Sequence, residues 1–183
     1  KKMFSIVFPG QGSQKIGMIK EFYEKYDLVK RLFKDADEIL NVPITKIIFE
    51  GPENKLNLTE NTQPAIFLVS YSIFNVLKRE TSFDIDAANY FAGHSLGEYS
   101  ALLASNSIKI DDAISLVHKR GKCMENSQKG SMFAILNLDL NEINQICKEV
   151  EQETGQVISP ANINSPNQVV IAGSDEAATI AGL

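Results

Sequence analysis

Ser95 stands at the centre of Gly93-His94-Ser95-Leu96-Gly97, a G-x-S-x-G segment of the kind that carries a nucleophilic hydroxyl around a strained strand-to-helix turn. Glycines at both ends let the backbone pass close to its neighbours and lift the serine out at the tip of a strand. Attack by such a hydroxyl on an ester or thioester creates an oxyanion. Two backbone N–H groups must meet it, one normally from the residue after the nucleophile. Leu96 would supply that N–H. The glycine-rich stretch Gly10-Gln11-Gly12-Ser13-Gln14 is built to bring a second one close. It also reads as a tight turn or a phosphate-cradling loop, but it fits neither G-x-G-x-x-G nor G-x-x-x-x-G-K-[ST], which argues against dinucleotide or ATP binding.

A serine hydroxyl becomes a good nucleophile only when a base takes its proton. The chain holds two histidines, His94 and His118. His94, the immediate neighbour of Ser95, projects away from it on a sharp turn. His118 lies two positions before Arg120 on one helix, so their side chains point about 200° apart and hardly both can face one site. Taken alone, His118 is a solvated or hydrogen-bonded helix residue, Arg120 a solvated neighbour of Lys119 and Lys122, and Asn162, Asn164 and Asn167 are turn formers.

The elements that must hold these residues follow from periodicity. Phe4 to Phe8 is a short apolar run closed by Pro9 and reads as a buried strand. Phe22, Tyr26, Val29, Phe33, Ala36 and Leu40 recur at three-and-four spacing, one stripe of a helix that Pro43 and Gly51-Pro52 terminate. After a loop around Asn57 to Asn61, Pro64 takes a first helical position and opens a helix, apolar on nearly every side, from Ala65 through Leu77. Ala88 to Ala92 is a second strand, and Glu98 to Ala104 a helix, so the glycine turn sits between strand and helix as its chemistry requires. Asp111 or Asp112 caps the helix that carries Arg120. From about residue 128 the pattern changes: a strand over Met132 to Leu138, a helix over Asn141 to Glu153, two extended segments over Gln156 to Gly173 and a helix from Asp175. That alternation predicts a small α+β unit joined to a larger one near Ser127 to Gly130.

The chain has 183 residues, 44% hydrophobic and 22% charged, with a net charge of -5, the composition of a globular protein. Clustered Lys and Arg are absent, which argues against nucleic acid as a partner. Cys123 and Cys147 lack a second Cys or a His at metal-ligand spacing, so two reduced thiols and no metal are expected. Lys1-Lys2 and the apolar residues after it resemble the start of a signal peptide, but Pro9-Gly10 stops the run too early. No apolar stretch approaches the roughly 18 residues of a membrane span, and a cytoplasmic protein with no membrane partner is expected.

Five blocks carry a family resemblance: Phe8-Pro9-Gly10-Gln11-Gly12-Ser13-Gln14, Thr62-Gln63-Pro64-Ala65, Ala92 through Ala101, Arg120-Gly121, and Asn162 through Gly173. Together, in this order and over essentially the whole chain, they resemble the bacterial malonyl-CoA:acyl-carrier-protein transacylases. The resemblance implies an α/β-hydrolase-like core with a parallel sheet over residues 1–127 and a ferredoxin-like α+β subdomain over 128–183, both incomplete. It implies that Ser95 takes malonyl from coenzyme A as an ester and yields it to the phosphopantetheine thiol of an acyl carrier protein, in fatty acid biosynthesis. In that family the arginine at the position of Arg120 pairs with the malonyl carboxylate, as a bidentate guanidinium is suited to do. Gln11 matches the residue that completes the oxyanion hole with the Leu96 N–H, and Gln63 and Asn162 match positions lining the site. His94 belongs to the elbow and is not the general base.

The family's catalytic histidine lies downstream of residue 183, with later strands of the large sheet, so an incomplete chain is expected. No metal or redox cofactor is implied, since the thioester and the phosphopantetheine arm are substrates; a monomer is expected. Lys119, Lys122 and Lys129 are candidates for docking an acidic carrier. Two other readings stay open: a serine hydrolase or thioesterase using the same elbow, and an inactive fragment that docks the carrier.

Overall fold

The computed structural model describes residues 3–182; the lysine pair read above as a possible leader lies outside them. The chain forms two compact units, one reaching Asn126 and the other beginning at Ser127.

In the first unit, β1 (Ser5–Phe8) and β2 (Tyr90–Gly93) pair in parallel, with Ser5 opposite Tyr90 and Phe8 opposite Gly93. Parallel strands need a long crossover. Here it is helical: α1 (Lys20–Lys25), α2 (Asp27–Leu40), α3 (Ile44–Glu50), α4 (Glu53–Leu56) and α5 (Thr59–Glu80). After β2 come α6 (Gly97–Ala104) and α7 (Ile110–Glu125). The core forms where α2, α3 and α7 close around α5, burying Val29, Phe33, Ile44, Ile48, Phe67 and Ile114. Each such side chain contributes about 1.5–3 kcal/mol of burial free energy.

Three expectations are corrected here. The apolar stripe from Phe22 to Leu40 is not one helix, because Tyr26 is extended and separates α1 from α2. The aromatic period survives the break: the Phe22 and Tyr26 rings still meet, with centroids 5.8 Å apart. Helices do end ahead of Pro43 and Gly51-Pro52, α2 at Leu40 and α3 at Glu50, with the short helices α3 and α4 lying after each break. Pro64 is not the start of its helix but lies inside α5, which begins at Thr59. That early turn is tied down by side chains: Asn61 Nδ2 donates to the Lys55 carbonyl at 2.9 Å, and Thr62 Oγ1 donates to the Leu56 and Leu58 carbonyls. Similarly, Asp111 and Asp112 occupy the first turn of α7, and the capping position is Lys109; their charges favour that end through the helix dipole.

The second unit is a three-stranded antiparallel sheet in the order β3-β5-β4, from β3 (Ser131–Leu136), β4 (Ile158–Ser165) and β5 (Gln168–Gly173). Helix α8 (Leu140–Thr154) is started by a capping box in which the Asp139 carboxylate accepts from the Asn141 N–H at 2.7 Å and Glu142 accepts from the Asp139 N–H. Helix α9 (Asp175–Ala181) closes the unit. Period-two alternation buries Val169 and Ile171 of β5 against Ile143, Cys147 and Val150 of α8 and Ala177 and Ala178 of α9. Burial raises the Cys147 thiol pKa, with Glu151 adding to the effect; Cys123 is exposed. Among the described residues no helix is long and apolar enough to cross a membrane, and no group of three His, Cys, Asp or Glu side chains is placed to hold a metal ion.

Candidate active site

The turn between β2 and α6 is as tight as its glycines require. A Cβ on Gly93 would stand 2.0 Å from the Gly97 carbonyl carbon, and one on Gly97 would stand 2.3 Å from the Phe8 carbonyl oxygen. A side chain at Gly93 would push the start of α6 away from β2, and one at Gly97 would push it off β1. Between them Ser95 sits at φ 52°, a left-handed conformation that costs a non-glycine residue free energy and recurs at functional turns. The turn is held by the Gly97 N–H donating to the His94 carbonyl at 2.8 Å and the Glu98 N–H donating to the Ser95 carbonyl at 3.1 Å. The Leu96 N–H, one residue past the serine, donates to no other described residue, while the Leu96 side chain is fully buried and anchors the turn.

Helix α7 delivers Arg120 to this serine. Arg120 Nη2 donates to Ser95 Oγ at 2.9 Å, and Nη1 donates to Gln63 Oε1 at 2.6 Å. The Gln63 amide is fully buried and donates from Nε2 to Met124 Sδ at 3.0 Å. Beneath the guanidinium lies the Tyr99 ring of α6, its centroid 5.6 Å away, a cation–π contact. Helices α5 and α7 approach closely enough for this because of Gly121, where a Cβ would stand 2.8 Å from the Glu60 Cα and the Thr59 carbonyl oxygen. Among the described residues Arg120 forms no ion pair. Ser95 is therefore met by a cation whose partners among the described residues are all neutral.

The glycine-rich loop after β1 is fastened to the start of α5. Gln11 Nε2 donates to Thr59 Oγ1 at 3.5 Å, Gln14 Nε2 donates to Asn57 Oδ1 at 2.9 Å, and Gln14 Oε1 accepts from the Gly12 N–H. Ser95, Leu96, Gln63 and Arg120 thus come together in the first unit. Gln11 is exposed with its amide turned to Thr59, His94 is exposed, and Asn162 belongs to the second unit, on β4 opposite Val170. Asn162 is a strand residue, not a turn former.

His118 is largely buried, 8% exposed, on the side of α7 away from Arg120, and it lines a cavity there without a hydrogen bond to another described residue. Burial holds its imidazole below the ordinary histidine pKa, Lys122 adds to this, and Glu60 opposes it. The sequence reading missed Tyr99 and Met124. Both carried a signal, Tyr99 lying one helical turn past the serine and Met124 one turn past Arg120.

The Acyl transferase domain family model matches residues 5–180, and the chain belongs to this family. It is 42% identical over 179 residues to the malonyl CoA-acyl carrier protein transacylase of Haemophilus influenzae, a match covering 96% of this chain and 56% of that protein. Among solved structures it resembles an acyl carrier protein S-malonyltransferase of Vibrio cholerae, with TM-score 0.86 and 40% identity over 98% of this chain and 58% of the other. It also resembles a structure described as a type II PKS acyl-carrier protein in complex with its malonyl-transacylase, with TM-score 0.84 and 41% identity over 98% of this chain and 58% of the matched chain. The chain spans a little over half the length of these relatives.

Proposed function

We propose that the protein of which this chain forms part transfers malonyl groups from coenzyme A to the phosphopantetheine thiol of an acyl carrier protein. The observation that carries this reading is Arg120, a cation without a carboxylate partner among the described residues, held 2.9 Å from the candidate nucleophile. A guanidinium presenting two N–H groups selects a carboxylate, so an acyl chain ending in one would be positioned with its thioester carbonyl at Ser95. A serine hydrolase acting on apolar acyl groups would gain nothing from a partly buried charge held there.

In the proposed reaction Ser95 Oγ bonds to the thioester carbonyl carbon, the C–S bond breaks, and the hydroxyl proton ends on the departing coenzyme A thiol. The carrier thiol then attacks the ester, and Ser95 leaves with a proton. The Leu96 N–H serves the oxyanion in both steps, and Gln11 completes the hole by turning from Thr59. Gln63 lines the substrate site, and Asn162 and His94 are assigned substrate-binding roles on the family's sequence pattern. The base is assigned to the part of the relatives that this chain does not span.

The two units are read as the core of an α/β-hydrolase-like subdomain over 1–127 and a ferredoxin-like one over 128–183. The β-α-β-β-α order and the β3-β5-β4 sheet support the latter. Malonyl-CoA and the carrier protein are the proposed partners, and the cytoplasm the proposed compartment. Intact-mass measurement after incubation with malonyl-CoA tests the reading on this chain and on a form extended to the relatives' length. One malonyl group on the extended form, lost in Ser95→Ala, is expected. Extended protein that stays unmodified would overturn it, and rapid release of malonate without a carrier would turn the reading toward a hydrolase.

A further inference from the structure

On the face of α7 opposite Arg120, the first unit holds a cavity of about 610 Å³ that shares none of the residues of the serine site. Four helices contribute to it. Lys46 comes from α3, Lys55 from α4, Glu60 and Asn61 from the first turn of α5, and His118 and Lys122 from α7. None of the three lysines forms an ion pair among the described residues. Set against the one Glu60 carboxylate, they leave two positive charges around the cavity, in a chain whose net charge is -5.

His118 makes this more than a group of surface lysines. Its imidazole is more than nine-tenths buried, lines the cavity and has no hydrogen-bond partner among the described residues. Its ring nitrogens are not among the buried atoms left without a partner, so the ring opens onto the cationic cavity and offers a donor to an acceptor supplied from outside. We propose that this cavity is a phosphate site, taking a phosphate dianion either free or carried on a larger ligand. The two net charges match a dianion, lysines bind phosphate as point charges, and the imidazole supplies a directional donor. A monocarboxylate would neutralise only half the charge. Val42, Pro43, Ile47 and Leu58 form an apolar wall that would receive the body of a phosphomonoester.

The consequence for His118 follows from its neighbours. Burial and Lys122 now favour its neutral form and Glu60 opposes them, with Lys46 and Lys55 across the cavity. A bound dianion would reverse the local sign and raise the imidazole pKa.

The chain's two histidines make the test direct. Inorganic phosphate is titrated into the 183-residue chain at constant ionic strength, set with sodium chloride, while the imidazole resonances of His118 and His94 are followed by NMR. A saturable shift and a raised pKa at His118, with His94 unmoved, are expected. Lys46→Gln and Lys55→Gln, which leave the α7 charges in place, should each weaken the apparent affinity by about fivefold. Adenosine 3′,5′-bisphosphate in a parallel titration separates the sources: tighter binding than phosphate assigns the site to a phosphomonoester, equal or weaker binding to free phosphate. The proposal is overturned if sodium chloride alone reproduces the His118 shift, if His94 responds and His118 does not, or if neither lysine substitution changes the affinity.

Discussion

Arg120 and Ser95, 25 positions apart in the chain, are joined by a hydrogen bond of 2.9 Å from Nη2 to Oγ. The serine is fixed by its turn and the arginine by Gln63 and Tyr99, so the bond records where two separately anchored groups are placed. A substrate carboxylate at Arg120 would compete for the N–H that now reaches Ser95. In the proposed reaction, binding of the acyl group therefore also releases the nucleophile.

Arg120→Ala should accordingly separate acyl groups by charge. In protein extended to the relatives' length, acylation of Ser95 by malonyl-CoA should fall about 100-fold, the scale expected when one partner of a desolvated charge pair is removed. Acylation by acetyl-CoA should change little. Equal losses for both thioesters would show that Arg120 orders the turn instead of reading a carboxylate.

Gly97→Ala tests the turn itself. Its Cβ would meet the Phe8 carbonyl oxygen at 2.3 Å and the Pro9 carbonyl oxygen at 3.0 Å, both backbone atoms that cannot rotate away. A loss of about 2–3 kcal/mol in urea unfolding of the first unit is expected, the range for overpacking with backbone displacement. A variant as stable as the parent would mean that the pass between α6 and β1 is looser than described.

Much of this site was legible because its chemistry constrains local sequence. Ser95 was found from glycines that the close approach of β1, β2 and α6 demands. The separation of His118 from Arg120 followed from helical geometry alone, and it holds: one meets the serine, the other the opposite cavity. What was lost depended on contacts between elements. Helices α3 and α4 are seven and four residues long, too short to show a period. The break at Tyr26 was hidden because Phe22 and Tyr26 keep their aromatic contact across it. The start of α5 is not legible in the sequence because Thr62 and Asn61 anchor the first turn to carbonyls several residues back, whereas Pro64 is the more visible local signal. The lysine cavity draws on four helices at once, and no linear pattern brings Lys46, Lys55 and Lys122 together.

His118 should leave a mark on stability as pH falls. Its folded pKa lies below the ordinary value of about 6.5 because burial and Lys122 disfavour the charged ring. Above that pH both folded and unfolded states are neutral, and the full stability is present. As pH drops through about 6.5 the unfolded imidazole takes up a proton that the folded one still refuses, so stability declines until the folded pKa is passed. Urea midpoints measured from pH 8 to 5 in a phosphate-free buffer should show this decline, and His118→Gln should lack that part of it. Parallel curves for the two proteins would remove His118 as the cause.

Gln63→Glu is the sharpest test of what Arg120 is kept free for. Gln63 Oε1 already accepts from Arg120 Nη1 at 2.6 Å, so a carboxylate of nearly the same shape would form the internal ion pair that the native site lacks. The folded protein should tolerate the change, because the new charge meets a cation at hydrogen-bond distance. Malonyl-CoA, however, would have to displace or share that partner. In the extended protein the KM for malonyl-CoA should rise about tenfold or more with a smaller change in kcat, the pattern of weakened ground-state binding. Gln63→Asn, shorter and uncharged, should instead loosen Arg120 and lower kcat and kcat/KM together. If Gln63→Glu leaves malonyl-CoA binding unchanged, the substrate carboxylate does not go to Arg120.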